Sequence, residues 1–103
     1  MPFLAKRIHE RQLIAVPARF WKGVGFVDAR TRDVSLGGAF IETDAPPAPG
    51  VECLIELRLP ALAAAVQLTA TVRWSSRDGM GVQWGALRAQ HMWAINELFA
   101  LSS

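Results

Sequence analysis

The segment 66–76, VQLTATVRWSS, decides the fold class because apolar and polar residues alternate along it. Val66, Leu68, Ala70, Val72 and Trp74 point one way, and Gln67, Thr69, Thr71, Arg73 and Ser75 point the other way. A period of two is typical of a β-strand with one buried face. We therefore predict a strand here and place Trp74 in the interior.

Four further segments are predicted to be strands. They are LIAVPARF at 13–20, GAFIET at 38–43, ECLIELRLP at 52–60 and MGVQW at 80–84. Cys53 falls on the apolar face of the third segment, as a small buried residue. Pro17 lacks an N–H group and should restrict its strand to a sheet edge or a bulge. The last strand begins after RDG at 77–79, a turn signal between two apolar runs.

The connections and the end of the chain have different patterns. DAPPAPG at 44–50 is rich in proline and predicts a surface loop. ALAAA at 61–65 allows either one helical turn or a wide hairpin end. From residue 87 to 101 the period changes to that of an amphipathic helix, whose apolar side is predicted to contain Met92, Trp93, Ile95, Leu98, Phe99 and Leu101. The helix either simply packs on the barrel or also offers a partner surface.

The chain has 103 residues, of which 51% are hydrophobic and 19% charged, and this length fits one globular domain, 1–103. Several short strands followed by one helix predict a mainly β fold, a small antiparallel β-barrel of about six strands over 13–85. No apolar run is long enough to span a membrane, and no signal peptide is visible, so we expect a cytoplasmic protein.

The sequence offers little for catalysis or metal binding. Cys53 is the only cysteine, so it can form neither an internal disulfide nor a thiolate cluster. His9 and His91 are far apart and fit no metal-ligand spacing. No nucleophile elbow, Walker sequence or close carboxylate pair occurs. We expect no enzyme, no catalytic residue, no metal and no cofactor.

Charge is distributed unevenly along the chain. The first 33 residues contain seven Lys and Arg against three Asp and Glu, and the other residues contain four against six. This asymmetry is compatible with chance and solubility, or with an anionic partner near the N-terminus.

Two short motifs separate these alternatives. RIHER places Arg7 and Arg11 four residues apart, and DVSLGG places Asp33, Ser35 and Gly38 just before a predicted strand. An arginine fork matches phosphate oxygens and the O6/N7 edge of guanine, whereas a carboxylate accepts from guanine N–H groups. Taken alone, the second motif is also a common self-satisfied turn.

Together, in this order and in a chain of this length, the motifs resemble the PilZ domain family, small barrels that bind the bacterial second messenger cyclic di-GMP. The resemblance covers nearly the whole chain and implies a flexible N-terminal arm, 1–12, that folds over the ligand. It implies these ligand-binding residues: Lys6, Arg7, Arg11, Asp33, Ser35, Gly37 and Gly38. Arg32 and Arg73 are possible secondary contacts. Lys6 is a departure, since many members carry arginine there.

The resemblance also implies the output. A single domain without a catalytic module would signal through an unidentified protein partner, as a cyclic di-GMP receptor or adaptor. An alternative is an interaction adaptor of the same fold that has lost the nucleotide. A third reading, a small-barrel binder of single-stranded nucleic acid, is disfavoured by a net charge of only +2.

Overall fold

The computed structural model describes residues 14–102, and the side chains of residues 14–98. Its elements are β1 (Pro17–Trp21), β2 (Phe26–Val34), β3 (Gly38–Glu42), β4 (Glu52–Leu57), β5 (Val66–Ser76), β6 (Gly79–Trp84) and α1 (Ala89–Ser102). All neighbouring strands are antiparallel, and the sheet closes into a barrel in the order β1-β2-β3-β6-β5-β4. The predicted six-stranded barrel with a C-terminal helix is confirmed, whereas the predicted arm, 1–12, lies outside the described residues.

Alternate residues of the strands fill the barrel. The largest fully buried side chains are Phe20, Ile41, Ile55, Leu57, Leu59, Met80, Ile95, Val34, Val72 and Thr31. Cys53 is buried as predicted, and burial raises the pKa of its thiol. The strand at 66–76 has the predicted bounds, and its inward positions Leu68, Ala70 and Val72 are buried.

Trp74 is an exception to this alternation, and its predicted place in the core is wrong. Val72 pairs with Val82 and Trp74 pairs with Gly81, so Arg73 is an extra residue in β5. Such a bulge reverses the side on which the following side chains lie. Trp74 is therefore on the outer face with 46% of its surface exposed, whereas Trp84 is buried as predicted.

The strand β2 was not among the predicted segments. Its outward residues Asp28, Arg30 and Arg32 are charged. Its inward residues before the register shift in this strand are Val27, Ala29 and Thr31, and they form a weak apolar signal. The register shifts between Thr31 and Asp33. Asp33, predicted to be in the turn, is therefore the penultimate residue of this strand.

Other boundaries differ modestly from the predictions. Pro17 is the first residue of β1, a position that tolerates the missing N–H, so neither an edge nor a bulge is required. The predicted strand 13–20 thus begins four residues later, and the strand 52–60 ends at Leu57. The segment 61–65 belongs to a hairpin end with no helix, where the Leu62 N–H donates to the Leu59 carbonyl at 3.0 Å.

The helix α1 packs against the barrel through Ala94, Ile95 and Leu98. Met92 and Trp93, predicted on the apolar side, are 39% and 52% exposed. At roughly 100° per residue they lie more than about 100° from the middle of the buried stripe, which explains their exposure. Within residues 14–102, no helix is long and apolar enough to cross a bilayer.

Candidate functional site

The turn between β2 and β3 is built by Ser35. Its side chain is buried, and its Oγ accepts hydrogen bonds from the N–H groups of Gly37 and Gly38, each at 3.1 Å. The Ser35 N–H donates to the Gly38 carbonyl at 2.8 Å. Trp84 stabilises the turn from the buried side, because its indole N–H donates to the Ser35 carbonyl at 3.0 Å. The serine therefore fixes the shape of the turn.

Gly38 allows two backbones to approach closely. A Cβ atom at this position would lie 2.0 Å from the carbonyl oxygen of Val82 on β6. The residue does not use the positive φ angle that glycine permits, since among the described residues only Gly23, Gly50 and Gly79 have one. The requirement for glycine here is steric.

Asp33 is tied to the neighbouring strand at the bulge. Its Oδ1 accepts a hydrogen bond from the Phe40 N–H at 3.1 Å. The bulge interrupts the regular ladder at this point, and the carboxylate supplies an acceptor for the Phe40 amide. The side chain is only partly buried, so its carboxylate borders the outer surface of the barrel.

Phe40 is the centre of an aromatic and cationic cluster on that outer surface. Trp74 packs on it with ring centroids 5.2 Å apart, and the Arg32 guanidinium carbon lies 4.3 Å from the Phe40 centroid. Gly81 makes room for the tryptophan, since a Cβ there would lie 2.2 Å from the indole nitrogen. We call the residues Arg32, Asp33, Phe40, Arg73 and Trp74 the Phe40 surface.

Sequence reasoning missed Trp74 as a surface residue. A bulge has no reliable sequence marker, so alternation alone places Trp74 inside. Arg73, by contrast, is exposed as predicted and donates to Gln83 Oε1 at 2.7 Å. Gln83 in turn pairs with Gly38 in the β3–β6 register, so Arg73 lies on the motif side of the barrel.

Arg32 is held by a shared carboxylate. Glu42 accepts from Arg32 Nε through Oε2 at 3.0 Å and from Arg30 Nε through Oε1 at 2.7 Å. The two arginines, Arg30 first, lower the pKa of the Glu42 carboxyl below its usual value by hydrogen bonding. Glu42 is thus ionised at neutral pH and bridges two guanidinium groups.

The start of the described chain runs beside β2. The Thr31 N–H donates to the Val16 carbonyl at 3.0 Å, and the Val16 N–H donates to Thr31 Oγ1 at 2.9 Å. Thr31 Oγ1 also donates to the Ile14 carbonyl at 2.5 Å. Lys6, Arg7 and Arg11 lie outside the described residues, but the chain that carries them joins the barrel next to Thr31, two residues before Asp33.

Metal-ligating side chains do not converge in the described part of the chain. No group of three or more His, Cys, Asp and Glu residues there could hold a metal ion. The chemistry available on the Phe40 surface is instead stacking, charge pairing with anions and hydrogen bonding through one carboxylate.

Comparison with known proteins agrees with this geometry. The family model described as PilZ domain matches residues 5–101. Among solved structures, the Bacillus subtilis inhibitor of motility (MotI/DgrA) superposes with a TM-score of 0.76 at 16% identity, over 94% of this chain and 51% of that one. The chain thus spans about half of that protein.

A second solved structure is the PilZ domain of CeSA from a cellulose-synthesizing bacterium. It superposes with a TM-score of 0.69 at 20% identity, over 91% of this chain and 99% of that one. At these identities the two structures support the fold alone. A comparison with curated proteins finds no match.

Proposed function

Because the chain belongs to the PilZ domain family, we propose that it is a cytoplasmic receptor for cyclic di-GMP which signals through a protein partner. Domains of this family are regulatory receptors or adaptors rather than enzymes. The ligand has two phosphates and two guanines, so it requires cationic forks, flat surfaces and an acceptor for guanine N–H groups. The chain offers each of these on or beside the Phe40 surface.

The observation that carries the proposal is the path of the chain at Thr31. Pro17 pairs with Arg30, and the bonds between Val16 and Thr31 continue that register toward Asp33. Arg11 is three residues before Ile14, which is a backbone reach of about 10 Å. The described chain that follows the first motif therefore joins the barrel beside the second motif, as a shared ligand would require.

The motif residues receive distinct roles in this proposal. Arg7 and Arg11, with Lys6, pair with the phosphates and fold the arm over the ligand. Asp33 accepts from the guanine Watson–Crick edge. Ser35, Gly37 and Gly38 hold the turn in the shape that leaves room for the nucleotide.

Trp74 extends the proposed site beyond the motifs. Its ring is held against Phe40 and over Gly81, yet almost half of its surface is exposed. A fixed and exposed aromatic ring is a platform for a purine base at small entropic cost. Arg32 and Arg73 border it and are available to the phosphates.

The experiment that tests the function is isothermal titration of the full chain with cyclic di-GMP, with cyclic di-AMP as the matched control. The two ligands share their phosphates and differ in the base, so the proposed guanine contacts require tighter binding of cyclic di-GMP. The titration also gives the stoichiometry, which separates one bound nucleotide from a stacked pair. No heat of binding with cyclic di-GMP would refute the receptor function.

Replacing Asp33 by alanine is expected to weaken cyclic di-GMP binding by about 1.5–3 kcal/mol, the range for a hydrogen bond to a charged group. The salt dependence should stay close to that of the wild type, because a guanine contact involves no phosphate. Asp44→Ala removes an exposed carboxylate without touching the Phe40 amide, and should leave affinity nearly unchanged. Equal affinity of Asp33→Ala and wild type in titrations would make Asp33 a purely structural residue.

Replacing Trp74 by alanine is expected to lower affinity by about 1–3 kcal/mol, the typical contribution of a base stacked on an aromatic ring. The matched control is Trp93→Ala, which removes a similarly exposed indole from the helix. Ligand titration monitored by intrinsic fluorescence should also lose most of its signal in Trp74→Ala only. If both variants bind like the wild type, the base does not stack on Trp74.

A second candidate function is an interaction adaptor of the same fold that does not bind the nucleotide. One observation favours it. The Ser35 hydroxyl already bonds inside its turn, and Asp33 already binds the Phe40 amide, so both residues also serve the fold. The titration described above distinguishes the two candidates directly.

A further inference from the structure

Glu42 lies outside both motifs but accepts a hydrogen bond from Arg32, a cation beside them. Its carboxylate is shared between Arg30, directly opposite on β2, and Arg32, which belongs to the bulge. Both contacts use the Nε atom of the arginine. The Arg32 side chain is 45% exposed, so its guanidinium remains accessible from outside the barrel.

Two contacts together restrain the Arg32 guanidinium. Glu42 holds its edge, and Phe40 lies under it with the centroid 4.3 Å from the guanidinium carbon. Phe40 is itself buried between Arg32 and Trp74 and bonded through its amide to Asp33. An exposed arginine normally samples many rotamers, and each one that must be ordered on binding reduces affinity.

We propose that Glu42 is a positioning residue of the nucleotide site, which keeps the Arg32 guanidinium over the Phe40 ring and thereby orders it for the anionic ligand before the ligand arrives. This inference rests on the proposed function. By charge alone the Glu42 carboxylate would repel the phosphates. According to the proposal, its net effect on binding is nevertheless favourable.

The charge of Glu42 and its positioning role predict opposite results, so they can be separated. Removing a negative charge near a phosphate should strengthen binding, most of all at low salt. Removing the anchor of Arg32 should weaken binding at every salt concentration. In Glu42→Gln one of the two oxygens that now accept from Arg30 and Arg32 becomes an NH₂ group, which cannot accept, so the described pair of bonds is not preserved.

The test compares Glu42→Gln with Asp44→Asn by titration with cyclic di-GMP at low and at high salt. Asp44 lines the same groove as Arg32 and Glu42, and its amide variant removes the same charge. We expect Glu42→Gln to bind about 3- to 10-fold more weakly than the wild type at high salt, the loss expected for one immobilised side chain. Asp44→Asn should bind as tightly as the wild type or slightly more tightly.

A double-mutant cycle completes the test. In an Arg32→Ala background the substitution Glu42→Gln should cause no further loss of affinity, because the group that Glu42 positions is gone. Equal affinity of Glu42→Gln and Asp44→Asn, or an unchanged loss in the Arg32→Ala background, would overturn the inference while the receptor function stands. No binding by the wild-type chain would overturn the function and this inference with it.

Discussion

Substituting Gly38 by alanine is expected to destabilise the barrel by about 3 kcal/mol, the upper part of the range for overpacking. The added Cβ would lie 2.0 Å from the Val82 carbonyl oxygen, and backbone cannot move aside as a flexible side chain can. The shift must separate β3 from β6, where Gly38 pairs with Gln83. Thermal unfolding should show a midpoint more than about 12 °C below that of the wild type.

The matched control is Gly25→Ala. Gly25 also lies next to a strand, but a Cβ there has no atom within 4 Å and its φ is not positive. We expect its midpoint to remain within a few degrees of the wild type. If Gly38→Ala is equally harmless, the two strands do not approach as closely as described. The glycine of the motif would then serve the ligand alone.

A lowered midpoint of Gly38→Ala would show that a residue of the motif serves the fold. Ser35 and Gly38 belong to the motif that resembles a nucleotide-binding signature, yet their described contacts are all internal. A motif that shapes a turn can be retained for the barrel itself. For this reason variants of Ser35 or Gly38 that lose binding prove little, whereas Trp74 and Arg32 present groups to the outer surface, and Asp33 does both.

Most of the barrel could be predicted from the sequence, because a strand buried on one face alternates apolar and polar residues with a period of two. The strand at 66–76 and the face that carries Cys53 were correct for this reason. β2 was missed because its inward residues Ala29 and Thr31 are small or polar. Thr31 is buried through hydrogen bonds to the incoming chain, a cause that periodicity does not record.

The candidate site was predicted from the motifs, and the remainder of the Phe40 surface was not. A bulge of one residue moves Trp74 from the interior to the surface, and another places Arg32 above Phe40. Both depend on the pairing partner as much as on the strand itself. The exposure of Met92 and Trp93 has a similar origin, since the phase of an amphipathic helix is set by the core residues against which it packs.

Replacing Arg7 or Arg11 by alanine is expected to weaken cyclic di-GMP binding by about 1.5–3 kcal/mol each, the range for a hydrogen bond to a charged group. Expressed as affinity, the loss is roughly 10- to 150-fold. Arg58→Ala is the charge-matched control, because Arg58 is exposed and follows β4, which is not among the strands of the Phe40 surface. Its affinity for the nucleotide should remain within about twofold of the wild type, since the lost charge is screened and has no proposed contact with the ligand.

Salt dependence and a lysine variant identify what each arginine does. If Arg11 pairs with a phosphate, the affinity of Arg11→Ala should depend less steeply on salt than that of the wild type, because one screened ion pair is missing. Arg11→Lys keeps the charge but loses the two-pronged fork, so its affinity should fall between the two. Asp33→Ala should show the opposite profile, a loss of affinity with the salt dependence preserved. Unchanged affinity in both Arg7→Ala and Arg11→Ala would contradict the assignment of the first motif to the ligand, even for a chain that binds the nucleotide.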